Sequence, residues 1–457
     1  MRETTYLRRL GVLLALGLLA AGCRGGGGAA TDADTEAAED TEAAEDTGTE
    51  GEEAATGDVA FDVGVTEEPC PDAVNDGNGC IYLGTISDLT QGPFSSLGPP
   101  ITEAQAAFWR TVNEEGGIGG QFDVDVTTYV RDNLYNPETH NQVYQEIKGE
   151  VLALAQTLGS PTTAAIIDDM RAEEIVGAPA SWTSAWAFED VLLESGANYC
   201  IESMNAIDYA LENFESPIET VTAVHYPGDY GDDGAAGARV AAEENGLEFI
   251  DVPTNPGPDN QAGAIDSLVS ESPDLVIMTT NPTDMATIVG QAAAQGYQGR
   301  VIGTSPTWNP GVVDSPAIDA VEALYIQSGP WQTYASDTEG HAAMREALGS
   351  EEGNDGQTSG WAWSYPLRAA LEAAVENGDL TRSGLLEAVG TLDSVDYQGM
   401  VPEIDYSGEP DDAAVRGTFF SEVDREASTG VGSITEEAYT GPTAETFELT
   451  EPCYEAD

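Results

Sequence analysis

Four short apolar runs, Val221 to His225, Leu247 to Val252, Leu275 to Thr279 and Val301 to Gly303, are separated by stretches with helical spacing at about 232 to 245, 260 to 271 and 284 to 295. Strands that alternate with helices of this length build a parallel sheet with right-handed crossovers. Ligands of such sheets gather beyond the carboxyl ends of the strands. In this chain those ends carry Tyr226-Pro-Gly-Asp-Tyr230-Gly231, Thr280-Asn281-Pro282 and Thr304-Ser305-Pro306-Thr307-Trp308-Asn309. Asn281, Ser305 and Trp308 are therefore candidate ligand contacts.

The same alternation opens earlier. Ile81, Leu83 and Ile86 form a β-rich run, after which Gly92-Pro93 and Gly98-Pro99 break the backbone. Ile101, Ala104, Phe108 and Val112 then lie three or four apart, on one face of a helix. Gly116-Gly117-Ile118-Gly119-Gly120 supplies the positive-φ residues that end it, and a second strand is expected from about Phe122 to Tyr129. A helix from about Pro137 to Val151 and a strand from Leu152 to Thr157 follow. Leu158-Gly-Ser160-Pro-Thr162-Thr163 opens the next helix, where uncapped amides and hydroxyls suit a carboxylate. Ile175 to Ala178 is the next strand, ahead of Pro179-Ala180-Ser181-Trp182-Thr183-Ser184.

The block Gly84 to Gly98, the run Asn113-Glu-Glu-Gly-Gly-Ile-Gly-Gly120, and Arg131-Asp132 with Asn136-Pro137 together resemble the opening of the branched-chain amino-acid type of ABC-transporter substrate-binding proteins. The resemblance continues, with gaps, from about residue 81 to about 435. It implies an α/β fold of two doubly wound parallel-sheet lobes joined by three crossings, the periplasmic binding protein type 1 architecture. The expected organisation is a signal peptide over 1–23, a disordered acidic tether over 24–66, an N-terminal lobe of 67–206 plus 330–395, a C-terminal lobe of 207–329 plus 396–440, and a tail over 441–457. On this reading Ala323 to Ser328 runs back to the first lobe. Gly360 to Gly378 is one long helix, and Tyr397-Gln-Gly399 with Ile404-Asp-Tyr-Ser-Gly408 is the final hairpin.

The resemblance also implies where the solute sits. Ser160, Thr162 and Thr163 fall on the loop that holds one side of the ligand in that family, and Ala180, Ser181, Trp182 and Thr183 on the second such loop. Ser181 and Thr183 read equally well as helix caps, and Trp182 as a core or interlobe aromatic. Tyr230-Gly231 matches a Tyr-Gly pair whose Tyr faces the cleft. One departure stands out: the Glu that amino-acid-binding relatives often place near Thr304 to Trp308 is missing. Either Asp229 substitutes, or the solute lacks an α-ammonium and is an amide, a urea-like compound or a carboxylate.

At the start, Arg2, Arg8 and Arg9 precede an apolar run from Leu10 to Ala21, too short to span a bilayer and flanked like a secretion signal. Leu19-Ala20-Ala21-Gly22-Cys23 resembles a lipobox, which implies acylation at Cys23 and a chain held on the outer face of the cell membrane; Arg8-Arg9 also fits twin-arginine export. Gly25 to Asp58 has little to bury and repeats Thr-Glu-Ala-Ala-Glu-Asp at 35–40 and 41–46, a composition that stays extended. Removing Cys23 leaves Cys70, Cys80, Cys200 and Cys453, which allow three pairings in an oxidising compartment. Cys70 with Cys80 closes a short loop before the first strand; Cys200 with Cys453 then pins the tail.

Fifteen Lys and Arg stand against 82 Asp and Glu, a formal charge of -67, and Lys148 is the one lysine. No basic stripe exists for a nucleic acid to follow, so that class is excluded. Self-repulsion on this scale is relieved by salt, with a Debye length of about 3 Å near molar concentration. A salt-rich habitat is one explanation and an acidic proteome at ordinary salt the other. Gly-x-Ser-x-Gly, His-Glu-x-x-His and the phosphate-loop pattern are missing, and His140, His225 and His341 lack metal spacing. Asp229 to Gly234 begins like a calcium loop, but Val240 stands where its closing Glu belongs. The expectation is a monomeric, non-enzymatic, cofactor-free receptor for a small polar solute, working with ABC permease subunits; a sensor of the same fold and a secreted hydrolase are the alternatives.

Overall fold

The computed structural model describes residues 59–228 and 230–454. The signal, Cys23, most of the tether and Asp229 lie outside the described residues.

The acidic tether was expected to run to residue 66, but the chain is already paired before that. Strand β1 (Ala60–Phe61) lies parallel to Asp379–Leu380, and β2 (Val65–Thr66) is antiparallel to the next strand. The physical reason is the apolar set Val59, Phe61 and Val65, which packs on the first core. Strand β3 (Gly79–Ser87) leads through a loop to helix α1 (Gly98–Glu114), whose first turn holds Pro99 and Pro100 and whose Ile101, Ala104, Phe108 and Val112 are buried as the spacing requires. Strand β4 (Phe122–Asp132) and helix α2 (Pro137–Ile147) follow, then β5 (Ala153–Leu158), the short α3 (Ser160–Ala164) and α4 (Ile167–Ala172), and β6 (Gly177–Ala180). The parallel order is β4-β3-β5-β6.

The turn between α1 and β4 shows why its residues recur as a motif. The Asn113 side chain donates to the Val124 carbonyl at 2.9 Å and accepts from the Val124 amide at 2.8 Å, standing in for a neighbouring strand. Gly117 has φ +79°, and a Cβ there would lie 2.2 Å from the Phe122 carbonyl oxygen, so no other residue fits. Beside this turn, Cys70 and Cys80 are bridged, and the loop they close wraps buried Asp123. The Asp123 carboxylate accepts from the amides of Val74 and Asn75 and from the side chains of Asn75 and Asn78, all at 2.8 to 2.9 Å.

Helix α5 (Tyr199–Asn213) begins the second half and packs in the second core; residue 206, the expected end of the first lobe, lies inside it. There follow β7 (Thr220–His225), α6 (Gly231–Glu244), β8 (Glu248–Pro253), α7 (Ala262–Glu271), β9 (Leu275–Thr279), α8 (Pro282–Ala294), β10 (Arg300–Gly303), α9 (Ile318–Leu324) and β11 (Tyr325–Gly329). These strands lie within a residue or two of their expected places. Ala323 to Ser328, however, is no simple return path: β11 is a full strand, parallel to β10 on one side.

The chain then re-enters the first core, giving α10 (Glu339–Leu348), α11 (Asp355–Ala362), α12 (Ser364–Glu376), β12 (Asp379–Leu380) and α13 (Arg382–Val389). The single helix expected over Gly360 to Gly378 is two. Pro366 has no N–H to give to the Ala362 carbonyl, and the break falls at Trp363. The expected hairpin over Tyr397 to Gly408 reduces to one bridge between Val395 and Ile404, because Tyr397 and Ile404 are buried in the first core. After α14 (Pro410–Ala413), the hairpin that joins the second sheet is β13 (Phe419–Val423) with β14 (Val431–Ser433), antiparallel to β11. The sheet order is β14-β13-β11-β10-β9-β7-β8, and α15 (Pro442–Thr446) packs on α5. The chain passes between the two cores three times: between Leu193 and Ala197, between Ile326 and Tyr334, and between Ile404 and Phe420.

Candidate functional site

The carboxyl ends of both sheets face one cavity, lined from both halves. From the first half come Leu158, Gly159 and Ser160 at the end of β5 and just beyond it, and Ala180, Ser181 and Trp182 likewise at the end of β6. From the second come Tyr230 before α6, Ser305 and Trp308 after β10, and Gln327 and Ser328 on β11. Strands that end at one level leave their loops pointing into one space, which is why residues so far apart in sequence meet here.

One wall is aromatic. Trp182 packs against Trp331 with ring centroids 4.9 Å apart and against Trp363 at 5.4 Å. Its indole N–H donates to the Ser195 carbonyl at 2.8 Å, which fixes the ring against the segment that leads to α5. Phe94 reaches the same wall because buried Asp88 accepts from the amides of Gly92 and Phe94 at 2.9 Å each, folding the loop after β3 inward. Phe94 touches Tyr135 at 4.8 Å and, from the facing half, Tyr230 at 5.9 Å. Tyr199 meets Tyr230 at 4.8 Å. The Trp363 indole nitrogen and the Ser160 hydroxyl are buried and have no hydrogen-bond partner.

The other wall is hydroxylic. Ser305, Ser328, Gln327 and Ser421 line it, and behind it lies Glu202 of α5, fully buried. Glu202 Oε1 accepts from the Ser305 amide at 2.8 Å and from the Ser328 hydroxyl at 2.6 Å; Oε2 has no partner. Desolvation pushes this carboxyl up to about 8, against the pull of those two donors. Asp355 is the one charged side chain among the described residues of the cavity wall. Desolvation raises it to about 7, opposed by the Tyr334 amide that donates to Oδ1.

Of the residues singled out in the sequence, Ser160, Ala180, Ser181, Trp182, Tyr230, Ser305 and Trp308 line the cavity. Thr162, Thr163, Thr183 and Asn281 are not among its lining residues. Thr162 bonds back to the Leu158 and Gly159 carbonyls, and Thr163 to Thr157 beneath the loop. Thr183 is buried at the start of a short helical turn. Asn281 caps α8 by accepting from the Asp284 amide. Phe94, Tyr199, Trp331, Asp355 and Trp363 were missed, as was Glu202 behind the wall. A usable signal existed for Phe94, an aromatic stranded between two Gly-Pro breaks, and for Trp363, three residues before a proline in a helical pattern.

The seam between the halves carries its own bonds. Buried Asp233 accepts from the Ser184 amide at 3.1 Å, from the Ser184 hydroxyl, and from the Cys200 amide at 3.2 Å. Cys200 is bridged to Cys453, whose amide donates to the Ser184 hydroxyl at 2.7 Å. Both expected disulfides are therefore present. Among the described residues, no group of three or more His, Cys, Asp or Glu is placed to hold a metal ion. His140 is packed between Asn133 and Thr157, and burial lowers it to about 3. No helix of the described residues is long and apolar enough to cross a membrane.

Comparison with known proteins agrees with this geometry. A family model described as periplasmic binding protein matches residues 81–430. A fatty acid ABC transporter substrate-binding protein from Thermomonospora curvata superposes with a TM-score of 0.77 at 25% identity, over 86% of this chain and 97% of that one. A branched-chain amino acid ABC transporter protein from Thermus thermophilus, with bound valine, gives 0.69 at 18% identity, over 80% and 98%. A leucine-binding protein from Thermotoga maritima gives 0.66 at 17%, over 79% and 99%. The curated proteins compared include no match. A family match over most of the chain, two α/β halves and one cavity at their strand ends lead to a single statement: this chain belongs to the periplasmic binding protein family and is a solute-binding protein of the ABC-transporter type with the type 1 fold.

Proposed function

We propose that this protein captures an apolar-bodied organic acid between its two lobes and delivers it to the permease of an ABC importer. The observation that carries the reading is the cavity lining: four tryptophans, Phe94, Leu97 and Leu158 together with a line of serines, and Asp355 as the one charged side chain among the described lining residues. An amino acid and a fatty acid each bring a carboxylate for which the described lining residues hold no cation, and Asp355 could pair only an amino acid's ammonium, so it is the apolar wall and not charge that favours the fatty acid. A fatty acid brings one carboxylate, which the unpartnered Ser160 hydroxyl and Trp363 indole N–H can meet as neutral donors. Its chain gains about 0.8 kcal/mol for each CH₂ buried. The small amides and urea-like solutes expected from sequence would leave the aromatic wall uncovered. The name of the Thermomonospora curvata relative supports the same class.

Thermal-shift titration with octanoate, 1-octanol, leucine and urea tests the reading, since a ligand at a hundred times its Kd adds about 2.7 kcal/mol of apparent stability. Octanoate should shift the transition most. A shift by leucine or urea with none by octanoate would overturn the assignment. The lipid at Cys23, the tether, the outer membrane face, the monomeric state and the permease contact belong to the same proposal. Mass spectrometry of membrane-extracted protein and of a Cys23→Ser variant checks the first of these.

A further inference from the structure

Glu202 has features that the solute-class reading does not use. It projects from the first turn of α5, is fully buried, and gathers two donors, one from β11 and one from the turn after β10, onto a single oxygen. Ser305 comes from the turn after β10 and Ser328 from β11, and both line the cavity. Without that oxygen, the Ser305 amide and the Ser328 hydroxyl would have no common anchor, and the hydroxylic wall would lose its register. The titratable groups that act on the Glu202 region are hydroxyls: Tyr199 from the start of its own helix, Tyr230 from the turn before α6, and Tyr325 from β11. Neither a cation nor a second carboxyl among the described residues contributes to its electrostatics.

We propose that Glu202 is a positioning residue for solute binding: from behind the wall it holds Ser305 and Ser328 as the polar edge of the cavity on one oxygen, with its second oxygen left without a partner. The arrangement makes affinity for an anionic solute depend on pH through a residue that does not touch the solute. Burial favours the neutral acid, whose loss as pH rises through about 8 would place a carboxylate behind the wall. Glutamine reproduces the neutral acid, with one oxygen to accept both donors, whereas alanine removes the anchor.

The solute-binding arm rests on the organic-acid reading and uses octanoate and 1-octanol as probes, followed by tryptophan fluorescence from about pH 6 to about pH 9.5 in the full chain and in Glu202→Gln and Glu202→Ala. The wild type should lose octanoate affinity about tenfold across that range while 1-octanol binding stays level. Glu202→Gln should lose only the roughly threefold that ionisation of Asp355 in the cavity lining accounts for, and Glu202→Ala should bind both probes about tenfold more weakly throughout. Identical pH profiles for wild type and Glu202→Gln, or unchanged binding in Glu202→Ala, would overturn the proposal. A second arm needs no solute: hydrogen exchange at the Ser305 amide should quicken in Glu202→Ala and stay slow in Glu202→Gln. If neither probe binds, the solute class fails, and exchange at Ser305 decides whether Glu202 holds this edge.

Discussion

The two walls of the cavity are built on opposite principles. The first half supplies rings that lock one another, with Trp182 held by its N–H bond to Ser195 and flanked by Trp331 and Trp363. The second half supplies short hydroxylic side chains whose positions depend on a buried acid. An aromatic wall gives affinity with little direction, because dispersion and the hydrophobic effect scale with area. A hydrogen-bonding wall gives direction with little affinity, because each bond replaces one to water. A solute held by both walls would, on the function proposed above, favour a closed form of the two lobes.

The comparison breaks most sharply at Trp182. Trp182→Ala should weaken octanoate binding about a hundredfold, the range of a buried aromatic anchor, as read by calorimetry. A change under threefold would mean that the rings serve the fold alone. Phe94→Ala removes the ring that meets Tyr230 from the facing half. It should cost about tenfold in affinity and also lower the melting temperature, since the ring is buried.

Asp355 sharpens the contrast, as an acid among rings. Its carboxyl is neutral below about 7 and charged above, so Asp355→Asn should strengthen octanoate binding about threefold at alkaline pH and leave it unchanged under acid conditions. The sign for stability runs the same way. Glu202 and Asp355 both have raised folded-state pKa values, so the folded state holds more protons than the unfolded one between about 4 and about 8. Their contribution is full below that window and is lost as pH rises through it. Thermal melts across the window should decline in the wild type and decline less steeply in Glu202→Gln, which keeps the Asp355 contribution. The smallest effect belongs to Thr163→Ala. Its hydroxyl bonds to Thr157 under the loop, so stability should drop by about 1 kcal/mol while affinity holds.

Much of this molecule is legible in its residues because the signals are local. The apolar runs of β7, β9 and β10, the Pro99-Pro100 start of α1 and the Gly116-Gly117 stop each follow from a few neighbouring side chains. The loops after β5, β6 and β10 could be placed for the same reason. What escaped was long-range. Glu202 lies a hundred residues from Ser305, and nothing local distinguishes a glutamate in the first turn of a helix from a solvated one. Trp363 looked like one more position on a buried helical face until Pro366 broke the helix and turned the ring into the cavity. The hairpin was misplaced because Tyr397 and Ile404 have strand-like neighbours, yet they are more deeply buried as parts of the first core than a hairpin edge allows.

The knot of amides around Asp123 has a bearing on how the chain meets its surroundings. Lowering the ionic strength lengthens the reach of every exterior carboxylate, and with 82 acids to 15 bases the net result is stronger repulsion across the surface. Val74, Asn75 and Asn78 bring no net charge to their carboxylate, so no counter-ion cloud stands between them to be thinned. Dialysed toward pure water, the protein should come apart elsewhere first, with the corner closed by Cys70 and Cys80 among the last to let go.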